Sequence, residues 1–134
     1  MPLGRKIRYG MVGGGPGAFI GEVHRKAAAL DGEIELVAGA FSSDAEKSRQ
    51  QEQQLFLDPD RVYDSYQEMI EKESQLPEGD RIDFVSIVTP NHVHHPVAKA
   101  AIEAGFHVVC DKPMTMTVEE AEDLCHLVKK HDVV

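Results

Sequence analysis

With 134 residues, 42% of them hydrophobic and 28% charged, the chain has the make-up of one globular domain, able to bury a core without disulfides or metal. Its 23 acidic against 14 basic residues leave a formal charge of −9, which excludes general affinity for nucleic acid or an anionic membrane, since either needs a basic face. The two cysteines, Cys110 and Cys125, match no metal or redox spacing and no disulfide framework, the usage expected of a cytoplasmic protein.

Residues 1–6 carry no apolar core of a signal peptide, and no run approaches the ~18 apolar residues of a membrane span. Residues 7–12 read as a strand that runs into Met11-Val-Gly-Gly-Gly-Pro-Gly-Ala-Phe-Ile-Gly21, five glycines in eleven residues. Beyond them Ile20, Val23, Ala27, Ala28 and Leu30 recur at helical spacing until Asp31-Gly32 ends the pattern. Residues 34–41 read as a largely buried strand, so the first forty residues predict strand, helix and parallel strand. The capping box Ser43-Asp-Ala-Glu46 predicts a very polar helix to about residue 54, and Ser65-Tyr-Gln-Glu68 predicts another with Tyr66, Met69 and Ile70 inward. After a turn at 76–80, residues 82–88 predict a central strand. A helix over 96–104 stopped by Gly105, and a buried strand over 106–110, follow. Thr117-Val-Glu-Glu120 opens the last helix, with Ala121, Leu124, Cys125 and Val128 inward. The alternation predicts an α/β fold, a Rossmann-type doubly wound parallel sheet.

In such a fold a glycine turn between the first strand and helix lets a pyrophosphate approach bare backbone at a helix N-terminus. Gly13-x-Gly15-x-x-Ala18 meets the dinucleotide fingerprint in its Gly/Ala form, and Gly17, Phe19 and Ile20 complete the candidate loop. A plain structural turn is the other reading of the same glycines. The end of the second strand carries Ser42 and Ser43 where NAD-binding domains place a carboxylate, so the expectation leans to NADP with NAD left open. Lys47 and Arg49 are within sequence reach of a 2′-phosphate. His92, His94 and His95 lack further ligands, and no metal is assigned.

Two later segments are more specific. Thr89-Pro-Asn-His-Val-His94 and Ala104-Gly-Phe-His-Val-Val-Cys-Asp-Lys-Pro-Met114 both fall at the carboxyl ends of predicted strands. With them the chain, from Ile7 to Val134, resembles the N-terminal domain of the glucose–fructose oxidoreductase/inositol dehydrogenase (Gfo/Idh/MocA) family. The resemblance implies NAD or NADP as cofactor and hydride transfer at a hydroxyl or carbonyl carbon of a sugar or polyol. It places Thr89, Pro90, Asn91, His94, Asp111, Lys112 and Pro113 at the cofactor cleft, with Lys112 as the catalytic residue beside the nicotinamide. Asp111 departs from the family's usual Glu. Members continue into a second domain that holds the substrate, so the expectation for residues 1–134 is an NAD(P)-binding domain cut before that domain, binding cofactor without turnover. A non-catalytic NAD(P)-binding sensor is the alternative. An unprotected sheet edge leaves pairing with another copy, a homo-oligomer, open.

Overall fold

Strands and helices alternate in the predicted order. In the computed structural model, which describes residues 4–134, they are β1 (Ile7–Gly13), α1 (Phe19–Ala29), β2 (Ile34–Ala40), α2 (Ala45–Gln54), α3 (Tyr66–Gln75), β3 (Phe84–Val88), α4 (His94–Glu103), β4 (His107–Cys110) and α5 (Val118–His131). All strand pairs are parallel and the sheet order is β2-β1-β3-β4. The chain therefore leaves β1 toward one side and returns to β3 on the other. That reversal opens a crevice at the carboxyl ends of β1 and β3, the place where open α/β sheets bind ligands.

Side-chain alternation along the strands feeds two cores. On the face covered by α3, α4 and α5, Val12, Ala38, Val85 and Ile87 pack with Met69, Val97, Ile102 and Leu124. On the α1 face the buried set is smaller, with Tyr9, Met11, Phe41 and Val88 at its centre. There the rings of Tyr9 and Phe84 stack at 5.0 Å. α1 covers this face thinly, leaving Val23 and Leu30 of its expected apolar stripe exposed.

Several boundaries differ from expectation. Asp44, not Ser43, caps α2, its carboxylate accepting from the backbone N–H groups of Glu46 and Lys47. α4 begins at His94, two residues before the expected start, because Pro96 falls in the first turn where its missing N–H costs no hydrogen bond. β4 is half-exposed rather than buried, being the outer strand of the sheet among the described residues. Its Val108 N–H donates at 2.9 Å to the carbonyl of Val134, which lies alongside. On α5 Leu124 and Leu127 are buried and Val128 packs partly buried against the core, as expected of Leu124 and Val128, whereas Cys125 is exposed. Ser65 and Thr117 cap α3 and α5 as expected, and Gly105 follows the end of α4.

β3 starts at Phe84 rather than residue 82, and just before it the Asp83 carboxylate gathers three donors. Arg5 supplies both Nη groups at 2.8 Å and Arg8 its backbone N–H at 2.8 Å. The Arg5 bonds hold the carboxyl below its ordinary range. A carboxyl lowered in the folded state contributes stability above its unfolded value near pH 4 and loses it as pH falls through the lower folded value. Asp83→Asn should therefore flatten the acid limb of a plot of melting temperature against pH below about pH 4, leaving its slope above about pH 5 unchanged. An acid limb as steep as the wild type's would contradict this.

Candidate functional site

The glycine loop leaves β1 at Gly13 and meets α1 at Ala18, which begins the helix without a side-chain cap. α2, α3 and α5 are each capped by a side chain. Gly17 has φ +80 with nothing within 4 Å of where a Cβ would stand, so the loop is open on that side. Gly21, buried in the first turn of α1, is the closest-packed point. A Cβ there would stand 2.7 Å from Cα of Gly14. The helix–strand packing role of the fingerprint's last glycine thus falls on Gly21, three residues past the Ala18 that the sequence pattern suggested.

Two long side chains hold the loop from behind. Gln51 of α2, 2% exposed, donates through Nε2 to the Gly14 carbonyl at 2.8 Å, and Arg25 of α1 approaches the same oxygen at 3.3 Å. Ser48, also of α2, donates to the Ser42 carbonyl at 2.9 Å. None of these three was singled out from sequence, because nothing in a polar helix pattern marks which polar residue faces inward.

Next to the loop a cleft of about 430 Å³ brings together Gly13, Ser42, Ser43, Thr89 and Pro90 from the predicted set. Asp64, Ser65 and Tyr66 line it too; the sequence marked Ser65 and Tyr66 only as a helix start and Asp64 not at all. No lysine or arginine lines it. Lys47 is exposed on α2, and Arg49 borders a different surface hollow with Glu46, Gln50 and Gln53. Phe19, 76% exposed, and the partly buried Ile20 lie in the first turn of α1, and Asn91 opens the short 3-10 turn that leads into α4.

The turn after β4 carries Asp111, Lys112 and Pro113, the last two exposed. Asp111 is held to the sheet through its N–H, which donates to the Ile87 carbonyl at 3.1 Å, and its Oδ1 lies 3.5 Å from Nε2 of His24 on α1. The other nitrogen of His24 is 3.0 Å from Oγ of Ser86, buried in β3. His94 is 1% exposed and lies behind the cleft rather than on its surface. Its Nδ1 is 2.6 Å from the Pro113 carbonyl and its Nε2 is 3.0 Å from the Thr89 carbonyl. The segments after β3 and β4 are thus joined through one imidazole. Among the described residues no group of three His, Cys, Asp or Glu side chains has metal-binding geometry, and no helix is long and apolar enough to cross a membrane.

Cys110 ends β4 beneath this turn. Burial, and then the Asp111 charge, push its thiol up to about 11. Since the thiolate is the nucleophile, iodoacetamide at pH 8 should modify the exposed Cys125 and spare Cys110. Equal modification of the two, read by peptide mass, would show that Cys110 is not shielded.

Known proteins share this fold. The chain is 40% identical over 129 residues to an uncharacterised oxidoreductase of Bacillus subtilis, covering 96% of this chain and 32% of that protein. It superposes on an inositol dehydrogenase homologue from Azotobacter vinelandii, crystallised with NAD+, with a TM-score of 0.91 and 45% identity, covering 97% of this chain and 33% of the other. The same protein with NADH and myo-inositol matches with an equal TM-score of 0.91. An oxidoreductase from Pseudomonas syringae gives 0.91 at 46% identity, over 99% of this chain and 35% of that one. The chain spans about a third of the length of these relatives. The model of the oxidoreductase family with an NAD-binding Rossmann fold matches residues 7–134, and the chain belongs to that family, Gfo/Idh/MocA.

Proposed function

We propose that this domain is the NAD-holding part of a dehydrogenase acting at a hydroxyl-bearing carbon of a sugar or cyclitol. The reading rests on one juxtaposition: an uncapped helix N-terminus behind an open glycine loop, and a lysine-bearing turn, both at the carboxyl ends of a parallel sheet. The residues suit a dinucleotide. First-turn backbone N–H groups of α1, at Phe19 and Ile20, are free of a side-chain cap and carry the positive end of the helix dipole, which suits a pyrophosphate. The cleft beside Gly13 offers Ser42, Ser43 and Thr89 to the ribose end.

Bound there, the nicotinamide would supply the hydride acceptor. The contribution of this chain is to hold and orient it and to bring Lys112 near the reacting oxygen. An ammonium at that point stabilises developing alkoxide charge and can take part in moving the hydroxyl proton. The sugar or cyclitol class is inferred from the relative crystallised with myo-inositol. Hydride transfer needs donor and acceptor held together, so the domain by itself binds cofactor without turnover.

The cofactor we infer is NAD, against the lean toward NADP drawn from Ser42 and Ser43. Asp64 places a carboxylate on the cleft wall, and a cleft without lysine or arginine has nothing to neutralise a 2′-phosphate. Titration of the chain with NADH and NADPH, followed by nicotinamide fluorescence and thermal shift, tests both steps. NADH should bind at least about tenfold tighter, and Asp64→Ser should narrow that gap. Tighter NADPH binding would restore the NADP reading; binding of neither by a folded chain would overturn the cofactor role.

A further inference from the structure

His94 is the most completely engaged histidine of the site. It opens α4, whose Val97, Ala98, Ala101 and Ile102 are at most 2% exposed, so its backbone is fixed to the core. Both ring nitrogens face backbone carbonyls, Pro113 at 2.6 Å and Thr89 at 3.0 Å. Pro113 directly follows Lys112, and Thr89 directly follows β3 and lines the cleft beside Gly13. Around Lys112 the remaining holds are few. On its N-terminal side they are the Asp111 N–H bond, the Cys110 Sγ contact to the Asp111 carbonyl at 3.4 Å and the long approach of His24; on its C-terminal side Cys110 Sγ reaches the Met114 carbonyl at 4.0 Å, at the limit of a sulfur contact.

We propose that His94 is a positioning residue for Lys112: by fastening the Pro113 carbonyl to the floor of the cleft it sets where the lysine stands relative to a bound dinucleotide. The inference rests on the proposed role of Lys112 beside the nicotinamide. A neutral imidazole carries one N–H, and the shorter contact assigns it to Nδ1, which donates to the Pro113 carbonyl; shielded from water, that bond is stronger than an exposed one, and the turn it holds is otherwise on the surface. Loss of the ring should leave cofactor binding largely in place and release the lysine, because the glycine loop is held by Gln51 and Arg25 rather than by His94.

The test uses the full chain and trace labelling of lysines with acetic anhydride, read by peptide mass, with and without saturating NAD+. Lys129 and Lys130 on α5 serve as internal references. In the wild type, NAD+ should slow acetylation of Lys112 about fivefold and leave the references unchanged. His94→Phe keeps a ring of similar size without its nitrogens. It should still melt cooperatively and bind NADH within about threefold of wild type, with protection of Lys112 reduced to less than about twofold. His94→Gln, whose amide can serve one of the two carbonyls, should recover part of the protection. Full protection in either folded variant overturns the proposal. So does loss of cooperative melting in both, which would make His94 a residue of the fold alone. Wild-type NADH binding without protection of Lys112 overturns it while leaving the cofactor role standing; absence of NADH binding removes both.

Discussion

Replacing Glu73 with alanine should lower the free energy of unfolding by about 3–5 kcal/mol, the range for breaking one partner out of a buried ion pair. Glu73 lies on α3 with no exposed surface. Its carboxylate accepts from Arg61 Nε at 3.0 Å and Nη2 at 2.6 Å, from the Tyr63 hydroxyl at 2.8 Å and from the Ile82 N–H at 3.2 Å. Four donors from three residues in two separated segments converge on two oxygens, so the alanine variant strands a guanidinium, a phenol and a backbone amide together. Tyr63 records the environment. Burial first, and then its bond to Glu73, raise its hydroxyl well above the ordinary range. Urea unfolding followed by circular dichroism checks the prediction, as a lower midpoint with an unchanged slope. The double variant Arg61→Met, Glu73→Leu should lose less than Glu73→Ala, because it removes the charges in a pair instead of orphaning one. Equal losses would mean that the cost lies in the Tyr63 hydroxyl and Ile82 N–H, which lose their acceptor in both variants, rather than in the unpaired guanidinium.

Gly21→Ala should weaken NADH binding by about tenfold and lower stability by about 1–2 kcal/mol. The added methyl would meet Cα of Gly14 at 2.7 Å and Nη1 of Arg25 at 3.1 Å. The arginine tip can move aside, but the Gly14 backbone belongs to the loop proposed to receive the pyrophosphate. Alanine gains about 1 kcal/mol of helix propensity over glycine, so any net loss measures the collision. Gly17→Ala is the matched control, since its Cβ would meet nothing within 4 Å and its effect comes from φ +80 alone. A Gly21→Ala chain that gains stability and keeps its NADH affinity would show that helix and loop can separate without consequence.

Much of the architecture was legible because local rules and global fold agree. The glycine loop, the apolar run of β3 and the caps at Ser65 and Thr117 each follow from a pattern within a few residues. The misread cap at α2 has a local cause. Ser43 and Asp44 are neighbours with equally good capping groups, and only the backbone path decides which is non-helical, here Asp44 at ψ 114. The exposure of β4 was illegible because an apolar strand reads the same at the edge of a sheet as at its centre. At the site, sequence order brought Lys112 and Thr89 to strand ends. It could not reveal that Asp64 faces Ser42 and Ser43 across a cleft, or that His94 stands behind that cleft, since both depend on contacts between distant segments.

The polar helix α2 buries only Ser48 and Gln51, and both grip backbone carbonyls at the carboxyl end of the sheet, Gln51 with its Oε1 buried and unpartnered. With so little apolar surface to hold it down, α2 has a shallow local opening free energy of its own. Its amide to the Gly14 carbonyl makes the glycine loop share that opening. Helix and loop should then exchange their backbone hydrogens as one unit, and a ligand that quiets the loop should also quiet the helix.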